Sequence, residues 1–184
     1  MTTWNDTDIP LAFLTTFRTY GTWLHGDKRG SIDRFHNVFR EPRVAANPVL
    51  ERQHRAKLVC EPVILDARQR PLVELAVREV CANRSWGLRA VNFRTNHVHV
   101  VVSTGDRNPD KALNAFKAYA TRKLRESGYW MIDRSPWVDK GSERWLWNET
   151  SVWYGCDYVL NGQGGDLSEF DNWEMGNDCD SIYL

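Results

Sequence analysis

The chain predicts an α+β fold, an antiparallel sheet with helices on one face, and three observations carry that prediction. Runs of β-branched and aromatic residues at 11–19, 86–94 and 97–103 alternate with segments of helical spacing at 66–83 and 109–127. The second and third runs are parted by little more than Asn96, which makes 86–103 an antiparallel hairpin. With 184 residues, 42% hydrophobic and 26% charged, the chain has the size and composition of a soluble domain with a real core.

The first strand is Leu11-Ala-Phe-Leu-Thr-Thr-Phe-Arg-Thr19. It runs into Tyr20-Gly-Thr-Trp-Leu-His-Gly-Asp27, a glycine-punctuated aromatic loop, followed by Lys28, Arg29 and Arg34. Prolines at 42, 48 and 62 predict irregular structure over 36–62, with at most a short helix around 49–57. Leu72, Leu75, Ala76 and Val80 then mark a helix over 66–83, with Asp66 as its cap. Trp86 to Arg94 reads as a strand, and the loop 103–109 leads from the hairpin into a helix that Pro109 opens and Gly128 closes. Leu113, Phe116, Ala120 and Leu124 form the apolar face of that helix; Lys111, Lys117, Arg122, Lys123 and Arg125 make it basic. Residues 130–140 read as a loop or broken segment, Glu143 to Trp147 as a short strand, and 149–160 as a helix ended by Gly162-Gln-Gly-Gly165. The resulting order, β-α-β-β-α-β and a further helix, is the ferredoxin-like arrangement.

Charge and cysteine content narrow the class further. Formal net charge is zero, but 165–184 carries six acids and no Lys or Arg, which leaves an excess of six positive charges on the first 164 residues. The expected organisation is one domain over 1–164 and an acidic tail over 165–184. A basic body is compatible with a polyanionic partner. Cys60, Cys81, Cys156 and Cys179 are scattered and form no CxxC pair, which argues against a disulfide framework and for a reducing, cytoplasmic setting. No apolar run is long enough for a membrane helix, and the polar, acid-bearing N-terminus reads as neither signal nor transit peptide.

The segment with the most chemistry is Asn96-His-Val-His-Val-Val-Val102. In a strand, residues i and i+2 share a face, so His97 and His99 project side by side, half of a divalent-metal site. The plainer alternative is a strand with two polar residues facing solvent. Trp23 and Tyr20, near arginines and lysines, are candidates to stack on unpaired bases or to close the end of the core. His25 is a candidate DNA contact or a structural hydrogen-bonding residue.

A His-hydrophobic-His strand inside a ferredoxin-like pattern, followed about sixty residues later by Asp157-Tyr158-Val159 on a helix, resembles the HUH nucleases. More narrowly, it is similar to the single-tyrosine transposases of the IS200-like class, the REP-associated tyrosine transposases among them. The basic helix segment Phe116-Lys-Ala-Tyr-Ala-Thr-Arg122 and Leu146-Trp147 belong to the same resemblance, which spans most of 11–164. It implies cleavage and rejoining of single-stranded DNA near hairpin or repeat sequences. His97 and His99 would hold Mg²⁺ or Mn²⁺ against the scissile phosphate, and Tyr158 would attack it to leave a 5′-phosphotyrosine.

The family's third ligand, a Gln or Asn about one turn past the tyrosine, has no counterpart at Gly162. Gln163 is the expected substitute, and Asn161 the alternative. Tyr119 and Tyr154 compete with Tyr158 as nucleophile. Lys117, Arg122 and Arg144 are candidate DNA contacts. The expected partner is single-stranded or hairpin DNA in the nucleoid, bound by a monomer or by a homodimer exchanging tyrosine helices. Two other readings stay open: a hairpin-binding protein of this fold that no longer cuts, and a metabolic ferredoxin-like protein with a structural histidine pair.

Overall fold

The protein is described from a computed structural model over residues 8–31 and 44–164. The expected acidic tail lies outside the described residues. Among the described residues eight elements follow one another: β1 (Ala12–Thr19), α1 (Pro48–Ala56), α2 (Gln69–Asn83), β2 (Gly87–Phe93), β3 (His97–Ser103), α3 (Pro109–Glu126), β4 (Trp137–Leu146) and α4 (Glu149–Asn161). The strands form one antiparallel sheet in the order β2-β3-β1-β4. This is the ferredoxin-like arrangement predicted from the element order.

Two cores sandwich the sheet, and alternation along β3 sorts its residues between them. Val98, Val100 and Val102 face α2 and α3, where they pack with Phe17, Val73, Val77, Val80, Leu113 and Phe116. Val101 faces the other way and packs with Ala12, Leu14, Ala90 and Leu146 against Val152 and Val159 of α4. A strand covered on both faces needs no polar alternation, which is why 98–102 reads as an unbroken apolar run. By the same alternation His97 and His99 share the face that α4 covers.

Local signals place the helices. Asp66 Oδ1 accepts the N–H groups of Arg68 and Gln69, each at 2.8 Å, while Gln69 Oε1 accepts the N–H of Asp66 at 3.0 Å. Asp66 thus accepts ahead of the helix as expected of a cap, but regular helix begins only at Gln69, with Arg68 at the cap position, and the return bond from Gln69 is an addition of the structure. Asn47 caps α1 through the N–H groups of Val49 and Leu50, and Asn148 exchanges a full capping box with Ser151 at the start of α4.

One element differs from expectation. β4 starts at Trp137, inside the stretch read from sequence as a loop, and runs ten residues instead of five. The run Asp139-Lys-Gly-Ser142 is polar on both faces because β4 is an edge strand, so its pattern hides a strand that pairing with β1 creates. Gly141 permits the close pairing: a Cβ there would stand 2.4 Å from Thr16 O.

Candidate active site

β3 and α4 meet at one end of the sheet. After β4 the chain turns at Asn148, and α4 runs back across the sheet from the Ala12–Leu146 end towards the histidines. Gly155 lets it approach closely, since a Cβ at that position would already lie 3.1 Å from Leu146 Cδ1. The helix therefore delivers Tyr158 to His99, their ring centroids 5.4 Å apart and nearly perpendicular. His97 and His99 themselves are 4.7 Å apart, centroid to centroid.

Both histidines are buried, at 6% and 4% exposure, and both have their outer nitrogens fixed from behind. His97 Nδ1–H donates to Asn96 Oδ1 at 2.6 Å, and His99 Nδ1 shares a hydrogen bond of 2.6 Å with Thr16 Oγ1. Neither Nε2 has a hydrogen-bond partner among the described residues. A buried nitrogen left without a partner is costly, and it is the arrangement a metal-binding imidazole needs: Nδ1 engaged, Nε2 presented as a lone pair. Burial is the main reason that His97 titrates down at about 4 and His99 at about 3. Both rings are neutral at pH 7, as metal ligation requires.

Gln163 completes the cluster. α4 ends at Asn161, the Gly162 N–H returns to Tyr158 O at 2.9 Å, and a Cβ at residue 162 would press to 2.7 Å from that same oxygen. This tight glycine end folds Gln163 inward. Its side chain is buried, donates from Nε2 to Tyr158 O at 3.1 Å, and lies against both imidazoles, where it partly offsets the effect of burial on them. Asn161, the alternative, is exposed and donates to Asp157 Oδ1 at 2.7 Å. Two neutral imidazoles and the Gln163 carboxamide are the donors that could hold a divalent cation while leaving positions open for phosphate oxygens.

The competing tyrosines sit elsewhere. Tyr119 is on α3, across the sheet, where it packs against the α2–α3 core and carries Arg122 over its ring at 4.4 Å. Tyr154 is exposed and turned against Trp153, ring centroids 5.0 Å apart.

The expected DNA contacts separate as well. Lys117 is a correction: it is buried, and its ammonium donates to Val138 O at 3.0 Å and Asp139 O at 2.9 Å. It braces α3 against β4 and is not presented to a phosphate. Arg122 is exposed on α3, on the sheet face away from the histidines. Arg144 stands opposite Leu14 in the β1–β4 register, so it shares the α4 face with the histidines.

Residues that spacing did not single out for the site are Thr16, Arg18 and Arg94. Arg18 pairs with His97 across β1 and β3, Thr16 with His99, and Arg94 is buried where β2 ends. Arg18 lies over Trp23 with its guanidinium carbon 3.5 Å from the ring centroid. The strand position of Arg18 relative to a histidine became visible only with the register. Tyr20 closes the core end, under Arg134 at 4.0 Å, and His25 packs edge-on against His54.

A ferredoxin-like sheet with paired histidines on its central strand and a tyrosine helix laid across them is the HUH architecture. The model of the family described as "Transposase IS200 like" matches residues 54–148, more than half of the sequence, and the chain belongs to that family. The match contains His97 and His99 and ends before α4. A solved structure described as a REP-associated tyrosine transposase bound to a REP hairpin is similar at 13% identity and a TM-score of 0.44, covering 86% of this chain and 70% of that one. No curated protein matches the sequence. Membership makes this a DNA-processing protein of the transposase class. No helix among the described residues is long and apolar enough to cross a membrane.

Proposed function

We propose that this protein is a metal-dependent, single-strand-specific DNA endonuclease and strand transferase that acts near hairpin or repeat sequences through Tyr158. The observation that carries the reading is the Tyr158 ring against His99, beside two buried Nε2 atoms that have no hydrogen-bond partner among the described residues. His97, His99 and Gln163 would hold Mg²⁺ or Mn²⁺, which when bound neutralises the charge of the scissile phosphate and orients it. Tyr158 Oη attacks the phosphorus and loses its proton; the bond from phosphorus to O3′ breaks, and the departing oxygen takes up a proton to give a free 3′-OH. The phosphotyrosyl ester retains the energy of the broken bond, so a second 3′-OH reverses the step without ATP. Thr16 and Asn96 hold the two imidazoles in place, and the Asn96 Oδ1 acceptor puts the His97 proton on Nδ1, leaving its Nε2 lone pair for a ligand.

The test is incubation with labelled hairpin-bearing single-stranded DNA from beside the gene, in Mn²⁺, followed by denaturing electrophoresis. A covalent protein–DNA band is expected, absent in Tyr158→Phe and retained in Tyr119→Phe and Tyr154→Phe. A band that survives Tyr158→Phe would move the nucleophile. Binding without a band in any sample would turn the reading to a hairpin binder that does not cut.

A further inference from the structure

A second pair of histidines lies away from the sheet. His25, on the loop that follows β1, and His54, on α1, bring their rings to 5.2 Å, centroid to centroid, at an interplanar angle of 65°. That is close to the spacing and inclination of His97 and His99, 4.7 Å and 75°. His25 is exposed and His54 half-buried, so both are open to solvent, and among the described residues neither ring is engaged by a hydrogen bond or an ion pair. Their backbones are fixed relative to one another. Gly26, at φ +89°, seats so tightly on α1 that a Cβ there would stand 2.4 Å from Asn47 O and 2.8 Å from Glu51 N. Gly26 O accepts the Asn47 N–H at 2.9 Å, and Asn47 Oδ1 in turn caps α1 at the N–H groups of Val49 and Leu50. This joint holds residue 25 beside the first turn of α1, and His54 follows Glu51 by about one turn. The helix depends on such joints, because none of its residues is buried.

We infer that His25 and His54 form a second metal site, for a divalent transition ion of the zinc type, and that the bound ion clips the loop after β1 to α1. Two imidazoles on one tetrahedral ion, each nitrogen about 2.0–2.1 Å from it, place their ring centres about 5 Å apart. The pair already stands at that spacing. Imidazole nitrogens suit zinc, nickel and copper, whereas Mg²⁺ takes oxygen donors, so the two histidine pairs differ in the ion they would select. Among the described residues no third His, Cys, Asp or Glu groups with the pair, and Glu51 Oε1 is taken by Arg55 at 2.8 Å, so water fills the remaining positions on the ion. An ion with one ligand on the loop and one on the helix binds fully only while the two are docked, and it stabilises that docked state by mass action. The inference does not depend on what the sheet site does.

The experiment is amide hydrogen exchange read by mass spectrometry on the full chain, without metal, with Zn²⁺ and with Mg²⁺. Because the readout is resolved along the sequence, an ion at His97 and His99 does not confuse it. With Zn²⁺ at ten times its dissociation constant, exchange in 20–31 and 48–56 is expected to slow about tenfold, and Mg²⁺ should leave both segments as they were. His25→Asn and His54→Asn should each abolish that protection. Calorimetric titration of the His97→Asn, His99→Asn double variant should still find one Zn²⁺ per chain, and adding His54→Asn should weaken it by roughly tenfold or more. Zinc that protects neither segment, or protects them equally in the two single variants, would overturn the inference. Zinc protection confined to the residues around His97 and His99 would also overturn it, while leaving the sheet site standing. Thermal melts identify any variant that fails to fold, in which case glutamine replaces asparagine at that position.

Discussion

Thr16→Val tests the construction of the site at its most specific joint. Thr16 Oγ1 and His99 Nδ1 are 2.6 Å apart, at 8% and 4% exposure, so water does not replace the hydroxyl when it is removed. Valine retains the shape of threonine, and the strand position favours it. What is lost is one buried hydrogen bond, leaving Nδ1 without a partner, at a cost of about 1–3 kcal/mol. The same bond holds the imidazole in its orientation. Without it the ring is free to turn, and loss of such an orienting partner costs metal sites about 10- to 100-fold in affinity. The assay pairs urea unfolding at pH 7 with calorimetric titration of Mn²⁺. Thr16→Ser restores the hydroxyl and should recover the metal affinity, with a residual loss of under about 1 kcal/mol for the missing methyl. In a His99→Ala background Thr16→Val should cost almost nothing further in affinity. Equal impairment by the serine and valine variants, or an unchanged Mn²⁺ affinity in Thr16→Val, would refute the role given to this bond.

Three further outcomes follow from the same geometry. Gly155→Leu should lift α4 from the sheet and lower adduct yield by about 100-fold with helix content retained; Gly155→Ala, whose Cβ would stand 3.1 Å from Leu146 Cδ1 and 3.8 Å from Val101 Cγ2, should lower it far less, because a small shift of the Leu146 side chain is offset by about 1 kcal/mol of helix propensity. Lys117→Met should destabilise the fold by about 1–3 kcal/mol in urea unfolding, through the unpaired carbonyls of Val138 and Asp139, while the salt slope of DNA binding stays as it was. His97 and His99 titrate below their unfolded value, so between about pH 6.5 and pH 4 the unfolded chain binds more protons than the folded one. Stability should therefore fall as pH drops through that window, on the order of 1 kcal/mol per pH unit for each histidine, and the slope should flatten in the His97→Asn, His99→Asn double variant; urea midpoints at pH 7, 6 and 5 check both.

Sequence by itself determined the elements whose signal is local. The helices at 69–83, 109–126 and 149–161 announced themselves by period and by caps, and the β2–β3 hairpin by its short connection. It also placed His97 and His99 on one face, because a strand has a period of two whatever lies around it. Tertiary structure decided everything that depends on which face meets which. Lys117 and Arg122 belong to one basic helix, yet one is buried under β4 and the other faces solvent, a distinction that charge pattern does not carry. Tyr119 and Tyr158 were both within reach along the chain; only the sheet, standing between Tyr119 and the histidines, separates them. β4 was half missed because an edge strand is defined by its partner's hydrogen bonds more than by its own side chains. The places of Thr16 and Arg18 beside His99 and His97 come from the β1–β3 register, a pairing across some eighty residues of chain. Local periodicity fixes where a side chain points relative to its own backbone. Which partner waits there is settled by long-range packing.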